Sequence, residues 1–216
     1  MPKNILLKSL YRISRPTTEP TNQVSYYEQY REMQDLSIQS FNANLAGDWE
    51  LIELDGVFDD IASAFIHTFI QTHKIWKEHA PCNILYADPD VLCVRPVDIR
   101  ELLPTQMCLP DLSNCGLRYF DRLTPPTQWN TAYDMLKQWD FHNYCYEQTM
   151  YQAMHLCFQM PMPDPQAKIV RQYADYNKVF FNVNDFDQSI IHTHASRDPQ
   201  LCLQQLKYLW DQVQSA

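Results

Sequence analysis

Glycine is scarce in this chain of 216 residues, which contains only three, at positions 47, 56 and 116. Loops that cradle phosphate groups with backbone amides need several glycines at fixed spacing, and neither G-x-G-x-x-G nor G-x-x-x-x-G-K-[ST] occurs here. Any phosphate group would therefore have to be held by a metal ion, by arginine or lysine, or by the N-terminus of a helix.

The chain lacks other signatures as well. Its seven cysteines form no C-x-x-C pair, which argues against a structural zinc site. The odd cysteine count and the apolar surroundings of several cysteines favour reduced thiols and a cytoplasmic location. No apolar run approaches the roughly 18 residues of a membrane-spanning helix. The net charge of −9 does not support a broad basic face for nucleic acid.

Apolar residues, in contrast, are plentiful: 45% of the chain is hydrophobic and 13% aromatic, enough to build a core that offsets chain entropy. Strand-like apolar segments alternate with segments of helical periodicity, which predicts one α/β domain over residues 1–216. The predicted helices cover 26–45, about 59–79, 147–158 and 200–214, and the predicted strands cover 5–10, 49–54, 84–87, 91–94, 107–112, 117–120, 179–183 and 189–193.

The most informative segment is I-L-Y-A-D-P-D-V-L-C-V, in which Asp88 and Asp90 directly follow a short apolar strand. Neighbouring carboxylates repel each other unless a cation or a proton intervenes, and their oxygens suit Mg²⁺ or Mn²⁺. In open α/β sheets, ligands bind beyond the carboxyl ends of strands. Such pairs also arise by chance, and a second stands at Asp185 and Asp187, so a solvated turn is the competing interpretation.

Two histidines near the C-terminus could complete such a site. Side chains alternate along a strand, so His192 and His194 in I-I-H-T-H face the same way, and either could offer an imidazole to a metal ion. The competing interpretation is a pair of hydrogen-bonded strand histidines. Arg197 follows shortly afterwards and could clamp a diphosphate with its planar guanidinium, or lie solvated at the surface.

The segment I-L-Y-A-D-P-D-V-L-C-V-R-P-V-D-I resembles the strand, D-x-D motif and exit segment of GT-A fold glycosyltransferases, especially the family 8, glycogenin-like group, with Arg95 and Pro96 matching the exit. Three further segments resemble that family in the same order. S-N-C-G-L is similar to a segment lining the sugar pocket, Glu147-Gln148 to an acid–glutamine pair near the donor sugar, and I-I-H to the segment with the third metal ligand. The resemblance spans about residues 30 to 199.

This resemblance implies a GT-A-like, Rossmann-like fold with a mixed, mostly parallel central sheet flanked by helices. It implies an enzyme, a hexosyltransferase that moves a sugar from a nucleotide-sugar donor, in the first place a UDP-sugar, to an acceptor hydroxyl with retention of configuration. The acceptor would be a glycan, a protein or another hydroxyl compound. The acidic net charge disfavours nucleic acid as the acceptor without excluding it.

The resemblance also implies roles for individual residues. Mn²⁺ or Mg²⁺ would be held by Asp88, Asp90 and His192, with His194 as the alternative ligand. Gln148 is expected to act in catalysis together with the two aspartates. The residues expected to bind the donor are Lys8, Arg95, Asn114, Gly116, Glu147 and Arg197.

Two other functions agree with parts of the sequence. Downstream of the histidine the family usually has a glycine and then a lysine, where this chain has Ala195 and Asp198. A module that binds a nucleotide sugar without turnover is therefore one alternative. The other is a sugar-phosphate nucleotidyltransferase, although such enzymes usually carry a glycine-rich N-terminal loop, which this chain lacks.

Overall fold

The structure, a computed structural model, describes residues 2–14, 23–99, 107–108, 116–120, 170–172, 182–185, 187–193 and 198–215. A 3-10 turn covers Val183–Asp185. Within the described residues the helices are α1 (Gln23–Asn44), α2 (Ile61–His79) and α3 (Pro199–Ser215). The strands are β1 (Lys3–Ile13), β2 (Glu50–Phe58), β3 (Cys82–Ala87), β4 (Val91–Cys93), β5 (Met107–Cys108), β6 (Leu117–Phe120), β7 (Val170–Gln172) and β8 (Ile190–His192).

These strands form two sheets. The larger has the order β2-β1-β3-β6-β5 and the smaller the order β4-β8-β7. In the larger sheet β1 pairs in parallel with β2 and β3, whereas β6 pairs antiparallel with β3 and β5. In the smaller sheet β8 is antiparallel to β4 and parallel to β7. The predicted α/β fold with a mixed, mostly parallel central sheet is confirmed, since the longest pairings are the parallel ones.

The strand β1 lies at the centre of the core, with side chains buried on both of its faces. Because alternate side chains of a strand point to opposite faces, each face is covered by a different helix. Leu6 and Leu10 pack with residues of α1, whereas Tyr11 and Ile13 pack with residues of α2. Burying one such apolar side chain contributes roughly 1.5–3 kcal/mol, so this strand anchors the helices on both sides of the sheet.

The ends of the helices follow from local sequence. The helix α2 begins after Asp60, as predicted, because the Asp60 carboxylate accepts a hydrogen bond from the backbone N–H of Ser63 at 2.8 Å. Such a cap contributes about 1 kcal/mol. The helix α1 ends at Asn44, one residue before the predicted end at residue 45. There the chain leaves the helix to form a bridge between Leu45 and Val97, which ties the end of α1 to the segment after β4.

Some predicted elements differ from the structure or lie outside it. Val183, predicted as the end of a strand, lies in the 3-10 turn Val183–Asp185, while residues 173–181 are outside the described residues. The helix predicted at 147–158 lies outside them too. No helix in the described part of the chain has both the length and the apolar character needed to cross a membrane. That the chain is one domain stays a prediction.

Candidate metal centre

Asp88 and Asp90 lie in a tight turn between β3 and β4. The backbone N–H of Val91 donates to the carbonyl of Asp88 at 3.2 Å and closes the turn. The N–H of Asp88 donates to the carbonyl of Gly116 at 2.7 Å, so Gly116, directly before β6, supports the turn through its backbone. Because β3 belongs to the larger sheet and β4 to the smaller, the two carboxylates stand where the sheets meet.

His192 reaches the same place from the C-terminal part of the chain. It is the last residue of β8, and the antiparallel pairing of β8 with β4 sets it opposite Val91. The next residue extends this register, because the N–H of Thr193 donates to the carbonyl of Asp90 at 3.1 Å. Thr193 and Asp90 are 103 positions apart in the sequence, so folding, and not local sequence, assembles the site.

Asp88, Asp90 and His192 each offer one ligand atom, and these atoms all lie within 4.8 Å of one another. His192 Nε2 and Asp90 Oδ1 are 3.2 Å apart. Ligand atoms that bind one octahedral ion at about 2.1 Å are separated by about 3 Å when adjacent and about 4.2 Å when opposite. The three side chains, two with hard oxygens and one with an imidazole nitrogen, therefore fit a small divalent cation.

Burial strengthens the case for a cation at this point. Asp90 is 7% exposed and His192 is 4% exposed, while Asp88 is half-buried. Two carboxylates in such surroundings cost free energy unless hydrogen bonds or a positive charge compensate them. A neutral imidazole has a lone pair to give to a metal, and an ionised carboxylate can only accept, so all three groups suit coordination.

The carboxylate of Asp88 is held in place by hydroxyl groups of β3 and β1. Tyr86 Oη donates to Asp88 Oδ1 at 2.7 Å, and Ser9 Oγ lies 2.8 Å from Tyr86 Oη. Since Tyr86 gives its only hydroxyl proton to Asp88, Ser9 is the donor in the second bond. The guanidinium of Arg118 lies over the Tyr86 ring at 3.7 Å, which fixes the tyrosine further. Asp88 is therefore preorganised before any ligand binds.

Lys8 lies directly beneath the turn and is 0% exposed. Its Nζ donates to the carbonyl of Asp88 at 2.9 Å and to Ser37 Oγ at 2.6 Å. Burial lowers the pKa of Lys8 to about 7, against the attraction of the carboxylates of Asp88, Asp90 and Glu53, which raises it. Because this ammonium faces the protein interior, we interpret Lys8 as a support of the turn. That it also binds the donor stays a prediction.

Arg95 is also engaged within the protein. Its Nη1 donates to the carbonyl of Gln188 at 2.6 Å, and its Nη2 donates to the carbonyl of Val183 at 2.7 Å. These bonds join the end of β4 to the segment that leads into β8. Both terminal nitrogens of the guanidinium therefore have a partner within the protein. We interpret Arg95 as a structural link between the segments that carry Asp90 and His192.

The structure brings together three of the predicted site residues, Asp88, Asp90 and His192. The sequence did not indicate which side chains support them. The supporting side chains share a signal in the sequence, since they are hydroxyl or ammonium groups at positions that face an apolar core. They are Lys8, Ser9, Ser37, Tyr86 and Thr193. The remaining predicted residues lie outside the described residues, and these are Asn114, Glu147, Gln148, His194 and Arg197.

No protein-family model matches the chain, and no curated protein matches it. Among solved structures it is similar to a crystal structure of mouse xyloside xylosyltransferase 1 in its apo form. The TM-score is 0.49 and the sequence identity is 10%, over 89% of this chain and 98% of the other. A likeness of this degree does not establish an activity, which has to be judged from the geometry of the site.

Proposed function

We propose that the chain is a divalent-metal-dependent glycosyltransferase that transfers a sugar from a nucleotide-sugar donor to an acceptor hydroxyl. The observation that carries this proposal is the convergence of Asp88, Asp90 and His192 from two distant segments onto one point. Three protein ligands leave further coordination positions of a Mg²⁺ or Mn²⁺ ion for phosphate oxygens. The resemblance of the D-x-D segment to GT-A fold glycosyltransferases supports the same function.

The chemistry of the donor explains why a cation is useful here. When the bond between the sugar and the diphosphate breaks, negative charge develops on the departing nucleoside diphosphate. A divalent ion bound at this centre would neutralise that charge. The chain's own contribution is to hold its ligands still, which Tyr86 does for the carboxylate of Asp88 and Thr193 for the backbone of Asp90.

The finer points of the proposal rest on the family resemblance. The donor is a UDP-sugar, the ion is Mn²⁺ or Mg²⁺, and transfer proceeds with retention of configuration to a glycan, a protein or another hydroxyl compound. The net charge of −9 disfavours nucleic acid as the acceptor. Proposed contacts to the donor, all outside the described residues, are Asn114, Glu147, Gln148 and Arg197.

A cytoplasmic location is part of the proposal. It is supported by Cys82, Cys93 and Cys202, which are free thiols buried in the core. Burial raises the pKa of the Cys82 thiol to about 11 and that of Cys93 to about 12, so both stay protonated and unreactive at neutral pH. Reduced, buried cysteines of this kind suit a reducing compartment.

The test is a thermal-shift screen of nucleotide sugars with Mn²⁺, followed by mass spectrometry of the products. A ligand that binds only the folded state raises the melting temperature, and we expect this for a UDP-sugar with Mn²⁺ but not in excess chelator. The products should be a nucleoside diphosphate and a glycosylated acceptor. Pyrophosphate release would identify a nucleotidyltransferase, binding without turnover would identify a binding module, and no metal-dependent binding at all would overturn the metal centre.

A further inference from the structure

The turn that carries both aspartates is held at its two ends by one hydrogen-bonded pair of side chains. Lys8 Nζ donates to the carbonyl of Asp88, where the turn begins, and Ser37 Oγ donates to the carbonyl of Val91, where it ends. Lys8 also donates to Ser37, which closes the arrangement. Lys8 belongs to β1 and Ser37 to α1, so two separate elements set the span of the turn.

We propose that Lys8 and Ser37 are positioning residues for the metal centre. They fix the backbone from Asp88 to Val91 so that the carboxylates of Asp88 and Asp90 can share one ion. This inference rests on the proposed function only in requiring that the centre binds a divalent metal. Lys8 and Ser37 would act through the backbone of the turn, without contacting metal or substrate.

The place of Lys8 in β1 makes this role specific. Lys8 stands on the α1 side of the strand between Leu6 and Leu10, in a row that is otherwise apolar and buried. Burying an ammonium group there is costly, and an apolar side chain of similar length would pack in the same row without that cost. The hydrogen bonds to the turn and to Ser37 are what offset it.

Two effects of Lys8 on a bound cation have opposite signs. As a positive charge near the site, Lys8 repels a metal ion, so removing it would tighten metal binding. As a donor to the backbone of the turn, Lys8 sets the positions of both carboxylates, so removing it would weaken binding. The direction of the change therefore distinguishes a positioning residue from a group that only balances charge.

The experiment compares wild type with Lys8→Met and Ser37→Ala. In the metal-free protein the amide of Val91, which donates to Asp88, should exchange its hydrogen faster in both variants. By calorimetry, the Kd for Mn²⁺ should rise about 10- to 100-fold in Lys8→Met and by a smaller factor in Ser37→Ala. The melting temperature of Lys8→Met should fall little compared with its loss of Mn²⁺ affinity, because an apolar group replaces a buried charge.

Lys3→Met is the matched control, since it removes an ammonium group from the same strand at its exposed end, where Lys3 pairs with Glu50 at 2.6 Å. It should leave Val91 exchange and Mn²⁺ affinity unchanged. Unaltered exchange together with unaltered or tighter Mn²⁺ binding in both test variants would overturn the inference. A wild-type protein that binds no Mn²⁺ would instead overturn the proposed function, while Val91 exchange would still decide whether Lys8 and Ser37 position the turn.

Discussion

The chain contains two pairs of aspartates separated by one residue, and the structure gives them very different surroundings. Asp88 and Asp90 lie at the junction of two sheets, where Asp90 is buried 3.2 Å from His192. Asp185 ends a 3-10 turn, and Asp187 is exposed. Among the described residues, only the first pair belongs to a group of three potential metal ligands. The same sequence pattern therefore stands beside a third potential ligand in one place and includes an exposed aspartate in the other.

Distant parts of the chain support the turn that carries the first pair. The backbone from Asp88 to Val91 forms hydrogen bonds with four other segments, through one residue of each. Those residues are Lys8, Ser37, Gly116 and Thr193. A carboxylate pair becomes a metal centre when such bonds fix its geometry and a third ligand arrives opposite it, because ordering the ligands beforehand lowers the entropy lost on binding.

The largest effect that would test this difference is expected for Asp90→Asn. Asparagine keeps the shape of the side chain but removes the charge that binds the cation, so Mn²⁺ affinity should fall by more than about 100-fold. Metal-dependent sugar transfer should be lost with it. Circular dichroism should show the fold intact, because the backbone bond from Thr193 to position 90 does not depend on the side chain.

Asp187→Asn is the matched control for that experiment, since it removes the same charge from the second pair. Calorimetry should give the wild-type Mn²⁺ affinity for this variant. Comparable losses in the two variants would mean that overall negative charge attracts the cation and that the centre at Asp88 and Asp90 is not specific. Full transfer activity of Asp90→Asn in excess chelator would exclude a metal requirement altogether.

A second, smaller effect concerns the third ligand. His192→Ala removes the imidazole that lies next to Asp90, and the Kd for Mn²⁺ should rise about 10- to 100-fold. His194→Ala should change the Kd for Mn²⁺ much less. This variant is the natural control because His194 stands two positions after His192, where a strand would turn its side chain the same way. Calorimetric titration of both variants decides the matter. A larger loss of Mn²⁺ affinity in His194→Ala would identify His194 as the ligand. The pairing of β8 with β4 would then not be what places the imidazole at the centre.

The elements with strong periodicity could be predicted from the sequence, and so could the grouping of Asp88, Asp90 and His192 as a possible metal site. Ile61, Phe65 and Phe69 recur every four residues, which predicts a helix, and the predicted start near residue 59 agrees with the cap at Asp60. The apolar strand before Asp88 is β3, buried at every position. These features depend on neighbours in the sequence, which is why local rules reach them.

The supports of the site could not be predicted, since they depend on which strands become neighbours. The resemblance gave Lys8 a place among the donor-binding residues, and the pairing of β1 with β3 places its side chain under the turn, buried. Arg95, expected among the donor-binding residues, donates to two backbone carbonyls whose positions only the folded chain defines. Both cases show tertiary contacts overriding the usual preference of a residue type.

An intermediate effect is expected for Tyr86→Phe, which removes the hydroxyl that orients Asp88. The carboxylate would then sample more rotamers, and Mn²⁺ affinity should fall roughly 10-fold. Stability should fall by about 1 kcal/mol for the lost buried hydrogen bond. Tyr11→Phe is the matched control, because its hydroxyl lies 2.9 Å from Thr68 Oγ1 on the α2 side of the sheet. It should cost similar stability and leave Mn²⁺ affinity unchanged, and an equal loss of affinity would deny the role of Tyr86.

The smallest effect should come from Thr193→Val. Thr193 holds the carbonyl of Asp90 twice, with its hydroxyl at 3.1 Å and with its backbone N–H at 3.1 Å. Valine keeps the backbone bond but removes the hydroxyl, and with it the 2.8 Å contact to Cys202 Sγ. Stability should fall by about 1 kcal/mol in urea unfolding, while Mn²⁺ affinity should change by well under 10-fold. Thr72→Val provides the comparison, since it removes a buried hydroxyl that donates to Thr68 within α2. A large loss of affinity in Thr193→Val alone would show that the Thr193 side chain, and not the backbone pairing, positions Asp90 for metal binding.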